Sequence, residues 1–311
     1  MRMDRVTKAP GGGSLLERAA KRYGLDARAR PAPVAVADEP TLAAIPAEFL
    51  ASGDHEDFTP PAFVDTGLAA IDRALLAERG MIVPGAPIGP LAEEFRLVKR
   101  HLLGCKRRIA EGGDDVRART VLVCSARPGD GKTFCAINLA LSIAAERDTE
   151  VLLVDADFAK PDVCRQLGLP DGRGLLDALD DGAVDPEALV IETDVPGLAV
   201  LPAGTRTTAD TELLASARTR NVIARLLGAN PKRVILFDSP PALAASPAAV
   251  LATLVGQIML VVRADRTAEG DVREAVGQLD GCEHIQLLLN AQSFVSGAHR
   301  YGSYYGQEDP R

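Results

Sequence analysis

The residues from Ser125 to Thr133, reading Ser-Ala-Arg-Pro-Gly-Asp-Gly-Lys-Thr, have the types and spacing of a loop that holds the phosphates of a nucleotide. Glycines let successive backbone N–H groups turn inward on phosphate oxygens, and a helix starting at Lys132 adds its partial positive charge. In such a loop Lys132 reaches the β- and γ-phosphates and the Thr133 hydroxyl ligates Mg²⁺, while Pro128, Gly129, Asp130, Gly131 and Phe134 complete the cradle. The strict pattern has glycine at position 126, where this chain carries Ala126.

Three aspartates are candidates to work with that loop. Asp155 and Asp157 close the run Val151-Leu-Leu-Val-Asp-Ala-Asp157, and Asp238 follows the apolar run Val234-Ile-Leu-Phe237. Ligands of open α/β sheets bind at the carboxyl ends of strands, so Thr133, Asp155 and Asp238 form the candidate metal set. Asp155 and Asp157 are separated by one residue and point to opposite sides while strand geometry lasts, which gives them different jobs. Asn290 ends the last apolar run and is a candidate contact to an adenine base, with a turn-forming role as the alternative.

Three of the four tyrosines, Tyr301, Tyr304 and Tyr305, fall in the last 11 residues, a cluster that chance placement does not explain. The surrounding residues show no core-facing period, so a mobile tail with phosphoryl-accepting hydroxyls is expected; the alternative is rings packed on the domain or on another chain.

The elements that must position these groups follow from apolar runs. Thr120–Cys124 reads as a buried strand, and Val151–Asp155, Leu198–Leu201, Arg233–Asp238, Gln257–Val262 and Ile285–Asn290 are further strand candidates. Helices are expected over Glu93–Glu111, Lys132–Arg147, Thr211–Leu227, Pro247–Leu254 and Thr267–Leu279. Strands alternating with helices predict an α/β fold, a doubly wound and mostly parallel sheet flanked by helices. The expected organisation is a largely flexible extension over residues 1–90, a nucleotide-binding domain over 91–292 and a tail over 293–311. Within the extension, Ser14-Leu-Leu-Glu17 supplies a capping box for one short amphipathic helix. Residues 2–30 carry eight basic side chains against three acidic ones, a charge suited to anionic lipid or simply to solvation.

Composition excludes several classes. A net charge of −8 argues against broad nucleic-acid binding. The five cysteines lack metal-ligand or disulfide-framework spacing, which fits a reducing cytoplasm. No apolar run reaches the length of a membrane span, so a membrane role is expected to come through a partner.

Together, the loop, the two aspartate-bearing strands, Asp238-Ser-Pro-Pro241 and the tyrosine tail resemble the bacterial tyrosine kinases of polysaccharide synthesis and export. The segment from Asp65 to Leu103 is particularly similar to the autokinases paired with exosortase-type exopolysaccharide clusters. The resemblance implies a P-loop NTPase of the Par/Min-like branch, with Walker A at Ala126–Thr133, Walker A′ at Val151–Asp157 and Walker B at Val234–Asp238. It implies ATP and Mg²⁺, a ring-like homo-oligomer and phosphorylation of tail tyrosines in trans. Glu93, Arg96 and Lys99 resemble the family's oligomerisation stripe; a solvated helix face is the alternative. The expected partners are a separate transmembrane chain-length-determinant or co-polymerase protein and polysaccharide-synthesis proteins as substrates, with the kinase peripheral at the inner membrane.

On that reading the site transfers the γ-phosphoryl of Mg-ATP, with Lys132 neutralising charge and a carboxylate taking the tyrosine proton, Asp155 first and Asp157 second. Partition and division-site ATPases carry a signature lysine where this chain has Arg127. A switch ATPase of that type, or a non-catalytic nucleotide-sensing scaffold, is therefore the rival.

Overall fold

A computed structural model describes residues 67–291. Seven strands form one sheet: β1 (Thr120–Ser125), β2 (Glu150–Asp155), β3 (Ile191–Glu192), β4 (Leu198–Leu201), β5 (Arg233–Asp238), β6 (Gln257–Arg263) and β7 (Ile285–Asn290). Their order is β3-β4-β2-β5-β1-β6-β7, parallel throughout except for the short antiparallel β3. The helices are α1 (Arg73–Glu78), α2 (Pro90–Glu111), α3 (Asp115–Ala118), α4 (Lys132–Ala144), α5 (Val163–Leu167), α6 (Leu175–Asp180), α7 (Asp210–Ala215), α8 (Ala217–Ala229), α9 (Pro247–Ala252) and α10 (Glu269–Gln278).

Strand periodicity divides the core in two. Val121, Val123, Val151, Leu153, Val234 and Leu236 point to one face, where Cys135, Ile137, Leu139 and Ile143 of α4 and Phe95 and Leu102 of α2 cover them. Leu122, Cys124, Leu152, Val154, Ile235 and Phe237 point to the other, against α6 to α10. On β1, β2 and β5 both faces are buried, which is why these strands read as continuous apolar runs, whereas the edge strand β7 leaves Leu287 and Leu289 exposed. The doubly wound α/β architecture is the one expected.

Three boundaries differ from expectation, each for a physical reason. Residues 67–90 join the domain, with Ile71, Leu76 and Met81 buried and Ala69 bridging Thr193. Their apolar side chains are spaced by glycine and proline and so show no period. The helix expected over Thr211–Leu227 is two, because Ser216 adopts an extended ψ of 159° between α7 and α8. The strand β3 was not anticipated; two residues carry no pattern. The capping-box helix near Ser14 and the tyrosines at 301, 304 and 305 lie outside the described residues.

Candidate active site

The loop after β1 is built as its sequence demands. Gly129 and Gly131 take φ of 84° and 95°, left-handed values that favour glycine. Gly131 caps α4, and a Cβ on it would stand 2.2 Å from the Asn290 amide nitrogen. Ala126 is fully buried, and its φ is not in the left-handed range, so a methyl group fits at the position where the strict motif has glycine. Ser125 Oγ donates to the Arg127 carbonyl at 2.9 Å, and the Arg127 N–H donates to Asp130 Oδ2 at 3.1 Å, so the loop is braced internally.

Parallel pairing brings the aspartates to the same edge. Asp155 and Asp238 are register partners on β2 and β5, and β1 delivers the loop beside them. Lys132 Nζ lies 2.7 Å from Asp157 and 3.7 Å from Asp238 and donates to Thr133 Oγ1 at 3.2 Å. Thr133 Oγ1 in turn donates to Asp238 Oδ2 at 2.7 Å. Burial works to lower the Lys132 pKa, but Asp238 and Asp157 together hold it above the usual lysine value. Burial pushes the Asp238 carboxyl up to about 7, against the pull of Lys132 and with the added repulsion of Asp155.

Asp155 is placed differently. Its Oδ1 accepts from the Asp157 N–H at 3.2 Å, and its Oδ2 accepts from Asp162 at 2.9 Å and Val163 at 3.0 Å. Burial raises it to about 6 in spite of those three bonds. Its carboxylate therefore pins the β2–α5 turn, while Lys132, Thr133, Asp157 and Asp238 converge. Phe134 packs on the α4 core. Asn290 donates from Nδ2 to the Asp130 carbonyl at 2.8 Å and thus braces the loop from β7.

Among the described residues, no group of three or more His, Cys, Asp or Glu could hold a metal ion alone. A magnesium ion would need phosphate oxygens beside Thr133 and Asp238. The fit is favourable: Asp238 Oδ1 is buried without a hydrogen-bond partner among the described residues, and an acceptor-only oxygen in that position suits a cation or its water.

The sequence marked Arg127 by its place in the loop but not the β6 and α10 residues that surround it. Arg127 bonds Asp271 in the first turn of α10 through Nε at 2.6 Å and Nη2 at 2.8 Å. Arg263 Nη1 donates to the Gly129 carbonyl at 2.9 Å, and Arg266 lies against Gly129. No motif signals them, since they come from the β6–α10 segment. The expected oligomerisation stripe is also divided. Glu93 pairs with Arg96 on the helix surface. Lys99 is buried, donating to the Ser142 carbonyl at 2.8 Å and pairing with Glu146 at 2.6 Å.

No family model matches the chain. It is 33% identical over 189 residues to the putative tyrosine-protein kinase EpsB of Ralstonia nicotianae, covering 60% of this chain but 25% of EpsB, so the match spans about a quarter of that relative. To the tyrosine-protein kinase CpsD of Streptococcus agalactiae it is 30% identical over 197 residues, covering 61% of this chain and 83% of CpsD. The kinase domain of VpsO superposes with a TM-score of 0.52 at 30% identity, over 63% of this chain and 97% of that domain. A phosphate loop on a parallel sheet, aspartates at its carboxyl edge, and CpsD and the VpsO kinase domain, each matched over most of its length, agree: the chain belongs to the bacterial tyrosine-protein kinase family.

Proposed function

We propose that the chain transfers the γ-phosphoryl group of Mg-ATP to tyrosines 301, 304 and 305 in the tail of a neighbouring copy. The observation that carries this reading is the convergence of Lys132, Thr133, Asp157 and Asp238 beside a left-handed glycine loop at one sheet edge. Phosphoryl transfer through a loose transition state asks for charge neutralisation and positioning, and this site offers both. Phosphate oxygens compete with Asp157 for the Lys132 ammonium, and backbone N–H groups of residues 129–133 orient the same phosphates. Thr133 and Asp238 are the residues that would hold magnesium, which when bound offsets charge developing on the phosphoryl oxygens.

Asp157 is the better proton acceptor for the tyrosine hydroxyl. Of its two oxygens, Oδ1 takes the Lys160 N–H at 3.1 Å and Oδ2 faces Lys132, whereas both oxygens of Asp155 are committed to backbone. In this reading Asp155 holds the turn that presents Asp157. Glu93 and Arg96 remain candidates for contact between subunits, with Lys99 supporting their helix from inside.

The relatives extend the proposal. One of them is the succinoglycan biosynthesis transport protein ExoP of Rhizobium meliloti, 30% identical over 254 residues. No helix among the described residues is long and apolar enough to cross a membrane. We infer a separate transmembrane co-polymerase as activator, location at the inner membrane through it, and regulation of exopolysaccharide polymerisation and export. Mapping phosphotyrosine by mass spectrometry on the full chain with Mg-ATP tests the reading: tail labelling is expected, and undiminished labelling in Lys132→Met would overturn it. Phosphate release without tail labelling would instead identify a switch ATPase.

A further inference from the structure

The phosphate loop is clasped from outside by the turn that joins β6 to α10. Arg263, at the end of β6, donates to the Gly129 carbonyl, and Asp271, in the first turn of α10, holds Arg127. Between these two fastenings Arg266 lays its guanidinium on the loop. A Cβ built on Gly129 would meet its Nη1 at 3.5 Å and its Nη2 at 3.7 Å. Asp265, the residue before it, adopts a φ of 61°, a left-handed conformation uncommon outside glycine. Backbone strain of this kind, next to a functional loop, is kept only where the surroundings enforce it.

The cations around the loop are not equivalent. Lys132 is held by Asp157 and Asp238, Arg127 is saturated by two bonds to Asp271, and Arg263 is committed to a carbonyl. Among the described residues, the exposed Arg266 guanidinium has neither an ion pair nor a hydrogen bond. The nearest loop carboxylate, Asp130, is buried and turned to the Arg127 N–H. A planar fork of five donors, set against a backbone that turns its N–H groups toward phosphate and left without a carboxylate, matches the geometry of phosphate oxygens.

We propose that Arg266 is a further contact to the phosphate chain of the nucleotide, supplying from the β6–α10 turn the charge that Arg127 withholds while Asp271 grips it. The assignment rests on the nucleotide reading above and extends it to a residue outside every recognised motif.

Calorimetric titration of the full chain with Mg-ATP and with adenosine, at low and high salt, tests the proposal. Arg266→Ala should weaken ATP binding about tenfold, the order carried by one charge-assisted hydrogen bond. Arg266→Lys should recover part of it, and the salt dependence of ATP affinity should flatten in the alanine variant. Thermal unfolding should be unchanged, because the side chain has no internal polar partner to lose. Wild-type ATP affinity and salt dependence in Arg266→Ala overturn the assignment, as does an equal loss of adenosine binding, which would put the guanidinium on the nucleoside. A wild-type chain that takes up no ATP overturns the nucleotide reading itself.

Discussion

Arg127 and Asp271 meet as a planar two-point pair, Nε to Oδ2 at 2.6 Å and Nη2 to Oδ1 at 2.8 Å, across 144 residues of sequence. The bond to Arg127 holds the Asp271 carboxyl below the usual carboxylate range. Because the Arg127 side chain is 61% exposed, the pair acts on loop geometry more than on stability. Asp271→Ala and Arg127→Ala should therefore raise the KM for ATP by similar factors while melting near wild type. The double variant should be no worse than either single one, as a double-mutant cycle of steady-state kinetics would read. Additive losses would mean that Arg127 acts without Asp271.

Asp155 and Asp157 are expected to fail in different ways. Asp155→Asn puts an amide where three backbone N–H groups need acceptors, so unfolding free energy should fall by about 1–3 kcal/mol together with activity. Asp157→Asn should lower kcat while leaving the denaturation midpoint near wild type, apart from the small effect of releasing Lys132. Urea unfolding measured beside kcat separates the two outcomes.

What the sequence disclosed and what it hid divide along sequence separation. The loop, its helix and the strands ending in Asp155 and Asp238 are local patterns, a fixed spacing or an apolar run, and each forms where its pattern lies. The clasp of Arg263, Arg266 and Asp271 is a tertiary product, since nothing near those residues marks them as neighbours of the loop. Lys99 shows the same limit from the other side. A lysine three residues after Arg96 extends a charged stripe on paper, yet the helix turns it beneath α2 to the end of α4.

Lys99 should accordingly behave as a structural residue. Removing its ammonium strands the Ser142 carbonyl and leaves Glu146 without its partner, so Lys99→Met should lower stability by about 1–3 kcal/mol. Arg96→Ala, which removes a half-exposed surface charge, should cost less than about 1 kcal/mol. If the stripe forms contacts between subunits, Arg96→Ala shifts the oligomer distribution in analytical ultracentrifugation while leaving the melting temperature near wild type.

Lys132→Met should carry a pH signature besides lost activity. The folded Asp238 carboxyl, raised to about 7, binds its proton more tightly than in the unfolded chain. Its contribution to stability is thus fully present below the unfolded value near 4 and is lost as pH rises through about 7. Lys132 opposes that rise, so its removal moves the Asp238 titration higher and leaves more uncompensated charge when the proton does leave. The variant should lose stability relative to wild type more at pH 8 than at pH 5.5, seen as a widening gap in denaturation midpoints. A pH-independent gap would show that Asp238 is not the group responding.

Gly131→Ala should be damaging for two separable reasons. A Cβ there would stand 2.2 Å from the Asn290 amide nitrogen, and that amide is not free to retreat without breaking its 2.8 Å bond to the Asp130 carbonyl. The backbone φ of 95° would also have to be held by a residue with a side chain, at a cost of about 1–3 kcal/mol. Asn290→Ala in the same background removes the clash but not the backbone strain, so it should restore stability in part. ATP binding should stay impaired in the double variant, because the loop is then neither relaxed nor braced from β7. Titration with ATP beside urea unfolding of the two variants reads both terms; full recovery of stability by Asn290→Ala would show that the clash alone was responsible.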